Sequence, residues 1–155
     1  MSISRIFALP LVVTLLFAAS TLAQEKKIKR SDLPAPVEKT VVAQSERATI
    51  RGFSEEIENG QTNYEAELIV NGHSKDILMD PSGAIVEVEE QIAVDSLPIA
   101  VRDGLQAKAG KGKLLKIESI TKHDKLVAYE GHVMTGGKRS EVQVGPDGNP
   151  LDHEE

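Results

Sequence analysis

Two stretches decide the fold: SDLPAPVEKTVV, residues 31–42, and DSLPIAVRDGLQ, residues 95–106. Leu33, Val37 and Val41 recur every four residues in the first, and Leu97, Val101 and Leu105 do so in the second. That recurrence draws one apolar stripe on a helix. Asp32 and Ser96 suit N-caps, because their side-chain oxygens can accept from first-turn N–H groups. Pro34 and Pro98 then fall in the first turn, where a missing N–H is harmless. The second helix is expected to stop at Gly110. Gly104 in its interior has no explanation in the sequence.

The correspondence continues outward. YEAELIVNG from Tyr64 matches YEGHVMTGG from Tyr129, and DPSG at 80–83 matches GPDG at 145–148. Self-similarity at a near-constant spacing signals a unit written twice. Tyr64, Ala66, Leu68 and Val70 alternate with Glu65, Glu67 and Ile69. Tyr129, Gly131, Val133 and Thr135 alternate with Glu130, His132 and Met134. Period-two alternation indicates strands with one buried face. Asn71-Gly72 and Gly136-Gly137 are hairpin turns. Further strands are predicted at 48–57 and 113–120, in SKDILMD and KRSEVQVG, and in AIVEVEE after the first Pro-Gly turn. A helix with one stripe and a sheet with one apolar face must cover each other. The expected fold is α+β. It consists of two tandem repeats, 31–91 and 92–155, each one helix packed on a three- to four-stranded antiparallel meander, with both helices on one side. DPSG and GPDG are turns, since Pro fixes one dihedral and Gly permits a positive one.

The chain opens MSISRIFALPLVVTLLFAASTLAQ. Arg5, an uncharged apolar run and small residues at Thr21 and Ala23 have the layout of a secretory signal peptide over 1–23. The run is short for a membrane span of about 20 residues, so no stable span is expected after cleavage. Residues 24–30, QEKKIKR, read as a flexible leader. Eighteen Lys and Arg face 24 Asp and Glu, for a formal net charge of −6. That balance argues against nucleic acid as a partner and against anionic membranes. There is no Cys, which excludes disulfides, thiol catalysis and zinc-thiolate sites.

Motifs for chemistry are absent. His73, His123, His132 and His153 form no helical metal pair. No Ser sits in a Gly-x-Ser-x-Gly elbow. GKGK at 110–113 lacks phosphate-loop spacing, and neither Pro-Gly turn carries the ligand order of a calcium loop. Glu55, Glu56, Glu58, Glu87, Glu89 and Glu90 read as charge on strand edges, which deters sheet-to-sheet aggregation. No catalytic residue, cofactor or metal ligand is assigned.

The order LP-x-x-V at a helix start, a Tyr-Glu strand, a Gly hairpin and a Pro-x-Gly turn resembles the PepSY-like, β-lactamase-inhibitor-like domains of exported bacterial proteins. The resemblance implies a helix packed on an antiparallel sheet, a periplasmic or secreted location, and a non-enzymatic role in binding or inhibiting an envelope or extracellular protein. The sheet face away from the helices is then the partner surface, lined by Glu65, Glu67, Ile69, Glu130, His132 and Met134. The alternative is a small-ligand or divalent-metal-responsive envelope sensor that uses the acidic strands.

Overall fold

A computed structural model describes residues 24–58 and 60–155; the expected signal peptide, 1–23, lies outside them. The elements in chain order are β1 (Gln24–Ile28), α1 (Ala35–Gln44), β2 (Ala48–Glu58), β3 (Gln61–Val70), β4 (His73–Met79), β5 (Ile85–Gln91), α2 (Ile99–Ala109), β6 (Lys113–Lys122), β7 (Lys125–Thr135) and β8 (Lys138–Val144). All eight strands form one sheet in the order β1 to β8, with every neighbouring pair antiparallel.

This corrects the expected α+β pair of tandem helix-on-meander units. The sheet does not break between 31–91 and 92–155. β5 pairs with β6 from Glu87↔Lys122 to Gln91↔Glu118. The physical reason is the extra strand itself. Left as an edge, β5 would present a row of unpaired backbone groups, and β6 satisfies them. The flexible leader is corrected too. Gln24–Ile28 is β1, paired with β2 from Gln24↔Ile57 to Ile28↔Phe53. Its polar sequence suits an edge strand, and Ile28 packs against the core.

Both helices lie on the same side of the sheet. Val37 and Val41 of α1 pack with Phe53, Ala66, Leu68, Ile77 and Met79. Leu97 together with Val101 and Leu105 of α2 packs with Ile117, Tyr129 and Val144. Val88, which packs against the first cluster, pairs with Thr121, on the same face of β6 as Ile117 of the second. Tyr64 and Tyr129 join these clusters.

The N-caps differ from expectation. Asp32 and Ser96 end short 3-10 turns, and the caps are Pro34 and Pro98, with no side-chain cap bond. A residue before proline is pushed out of the helical region. Leu33 and Leu97 accordingly have ψ of 138° and 144°, so neither helix can begin before its proline.

The Pro-Gly turns dock on the helices. Gly83 has φ +82°, and a Cβ there would stand 2.5 Å from Pro36 O; Thr40 Oγ1 donates to Gly83 O at 2.7 Å. Gly104 of α2 has Gly148 O against it, 2.1 Å from where a Cβ would be. The helix glycine therefore exists to let the turn backbone approach.

Candidate functional site

The face away from the helices is built by strict alternation. Glu67, Asp76, Glu89, Ile120 and Ala128 are successive cross-strand neighbours from β3 to β7. Glu65, Leu78, Glu87 and Lys122 form the row on one side. Gln91, Glu118, Glu130 and Gln143 form a row on the other, followed by Lys116, His132 and Glu141. Among the described residues no helix covers this face. A cavity of about 80 Å³ is lined by Glu56, Glu65, Asp76, Leu78, Glu87 and Glu89.

The carboxylates here are unequally compensated. Glu118 is 1% exposed and receives three partners: Lys116 Nζ at 2.7 Å, His132 Nε2 at 2.6 Å and Ser74 Oγ at 2.9 Å. Burial pushes its pKa up, but hydrogen bonds from Lys116, His132 and Ser74 outweigh burial and hold it below the usual range. Lys27 pairs with Glu67 across Gly52, where a Cβ would be 3.3 Å from Glu67 Oε1.

Other members lack such support. Burial raises Glu65 despite the bond from Ser54 Oγ at 2.5 Å. It raises Glu130 despite Gln143 Nε2 at 2.8 Å. Asp76 is pushed to about 6 by burial and then by Glu65 and Glu118. Glu89 is pushed to about 8 by burial and then by Glu130, Glu87, Glu118 and Asp76. At neutral pH Asp76 is therefore mostly ionised and Glu89 mostly protonated, and among the described residues neither has a Lys, Arg or His as an ion-pair partner.

The raised carboxyl pKa values have a stability consequence. A carboxyl whose pKa rises on folding favours the folded state below its unfolded pKa, and that advantage is lost as pH climbs through the folded value. For Glu89 the window runs from the ordinary carboxyl range to about 8. Glu89→Gln is expected to be about 2 kcal/mol more stable than wild type at pH 9, allowing for the water that reaches this side chain. The gain should vanish near pH 4. Urea unfolding at both pH values measures it; an equal effect at both would remove the charge explanation.

All six residues expected on the partner surface lie on this face. Glu130 and His132 are brought together, with His132 Nε2 3.4 Å from Glu130 Oε1. Glu67, directly opposite Asp76, stands one row from Glu130, and Glu65 stands two rows away. Ile69 and Met134 lie beyond the ion-pair network, paired with Ser74 and Arg139. Glu87 and Glu89 are not on an edge, as the sequence suggested, but in β5, which is paired on both sides. Glu118, Asp76 and Lys116 escaped notice. Their signal was the alternation within LLKIESI and SKDILMD, which gains meaning only when register sets the strands side by side. Among the described residues two groups could hold a cation, Glu118 with Glu130 and His132, and Asp76 with Glu89 and Glu118; within each, the ligand atoms lie within 4.8 Å of one another.

Comparison with known proteins gives a likeness of fold. No protein-family model matches the chain, and no curated protein matches it in sequence. Among solved structures it is similar to a candidate periplasmic protein of Bacteroides eggerthii, with TM-score 0.62 and 16% identity over 77% of this chain and 86% of that one. It is similar to a DUF2874 family protein of Bacteroides ovatus, with TM-score 0.59 and 16% identity over 77% and 85%. A BLIP-like protein of Bacteroides fragilis matches with TM-score 0.55 and 15% identity over 77% and 83%. The fold is therefore a BLIP-like one.

Proposed function

We propose that the chain is an exported, non-enzymatic module that binds an envelope or extracellular protein through the open sheet face. The observation that carries this reading is the asymmetry of the sheet. Two helices cover one side, while the other presents a broad surface whose central carboxyl groups, Asp76 and Glu89, have no ion-pair partner among the described residues and are held toward their protonated forms. A partner that brings basic side chains over Glu65, Asp76 and Glu89 would favour their ionised forms and pair with them, and complementary charge speeds and orients association. The BLIP-like neighbour supports protein binding, and the neighbour from B. eggerthii supports a periplasmic location, as does the signal-like N-terminus. The PepSY-like resemblance of the helix and turn residues points the same way. Among the described residues no helix is long and apolar enough to cross a membrane.

Ile69→Lys with Met134→Lys tests this. Neither side chain belongs to the core or the ion-pair network, so melting should shift by no more than a few degrees. The protein that wild type retains from its own envelope extract should be lost at least tenfold. Undiminished retention would sink the assignment of this face.

A second reading is a divalent-cation-responsive module, favoured by the two ligand groups around Glu118. Lys116 already places an ammonium on the shared carboxylate, which weighs against it. A ligand that binds only the folded state must raise its stability. Melting with added calcium or zinc separates the readings. A rise of several degrees that Glu89→Gln or His132→Ala removes would favour the cation, and no rise at millimolar metal would dismiss it.

A further inference from the structure

Part of the open face is already covered, and by the chain itself. After the 145–148 turn the backbone pairs once more, Val144 with Pro150, and the following residues turn onto this face. The Glu155 N–H donates to Gln143 Oε1 at 2.8 Å, and Glu155 Oε2 lies 3.4 Å from Lys122 Nζ. Gln143 projects from β8 and Lys122 from β6. In register between these anchors lie Ile120 and Ala128, 1% and 0% exposed, although the helices are on the opposite side. Gly145 is buried at the same place, and a Cβ there would be 3.5 Å from Leu151 Cδ2.

We propose that residues 151–155 are a strap seated on the docking face, and that a partner displaces it. This rests on the docking reading above. The strap's own contacts specify what replaces it at this end. The replacing segment is acidic, giving a backbone N–H to Gln143 and a carboxylate to Lys122 as Glu155 does, and an apolar side chain beside Gly145 as Leu151 does. The strap is releasable because its anchors are weak. One is a neutral hydrogen bond, and the other is an ion pair whose side chains are 31% and 25% exposed, so each contributes little. Tethering, rather than strong contacts, keeps it seated.

The test compares the full chain with a form ending at Pro150, and with full-length Glu155→Lys, which sets a like charge against Lys122. Backbone NMR shifts should change at Lys122, Ile120, Ala128 and Gln143 in both variants and stay fixed in β2–β4. A synthetic peptide of residues 149–155 at millimolar concentration should restore them in the shortened chain and leave the full chain unmoved. Photo-crosslinking to a partner from position 134 should rise roughly fivefold on shortening, because apparent affinity scales with the competent fraction. Unchanged shifts at those four residues would overturn the strap, whatever binds the face. Restored shifts with an unchanged or lower crosslink yield would overturn displacement. Restored shifts with no open-face adduct in either form would overturn the docking reading while leaving the strap in place.

Discussion

Gly104→Ala should lose about 3 kcal/mol of stability, because the added methyl is driven into a backbone atom. In an open helix position the same change stabilises by roughly 0.5–1 kcal/mol, so the sign alone is diagnostic. Here the new Cβ would lie 2.1 Å from Gly148 O and 3.3 Å from Val144 Cγ1. The carbonyl cannot rotate away as a side chain could, since Gly148 N donates to Gly145 O at 2.8 Å and the turn is closed. Either α2 lifts from Ile117 and Tyr129 or the turn leaves the helix, and both uncover core. A drop in melting temperature of roughly 10 °C is expected for a chain of this size. Urea unfolding should show a lower midpoint at constant slope. A neutral or stabilising result would mean that the turn does not rest on the helix.

The second large effect is at Glu118. Glu118→Ala should cost about 3 kcal/mol at pH 7, since removing one member of a buried charged cluster strands the others. Lys116, His132 and Ser74 all lose their common acceptor. The loss stays at the low end of what buried pairs show because Lys116 and His132 side chains are 32% and 29% exposed and regain water. The pH dependence has the opposite sense to that of Glu89. The folded pKa of Glu118 is depressed, so its contribution is present above the ordinary carboxyl range and fades as pH falls through the depressed value. The gap between wild type and Glu118→Ala should therefore narrow below about pH 4. A gap that stayed constant would assign the loss to packing alone.

Much of the fold can be read along the chain because its determinants are local. The stripe Leu97, Val101 and Leu105, the alternation around Tyr64 and Tyr129, and the Asn71-Gly72 turn each lie within a few residues. What cannot be read that way depends on which strands meet. The residues of β5 fit an edge strand or a central one equally well, and only pairing with β6 turns two expected sheets into one. β1 has a single apolar residue, Ile28, so no periodicity marks it as a strand. The same limit applies to the site. Alternation puts Glu65, Glu67, Glu130 and His132 on one face. The centre of that face, however, is where Ser74 of β4 reaches Glu118 of β6 across β5, and only the register creates that contact.

The open face as a protein-binding surface is tested most directly by site-specific photo-crosslinking in intact cells. A photoreactive residue replaces Glu67, Leu78 or Met134 on the open face, and Lys39 or Gln106 on the outer sides of α1 and α2. Adducts to one common protein from the three sheet positions, and none from the two helix positions, are the predicted result. Adducts from Lys39 and Gln106 with none from the sheet would contradict it.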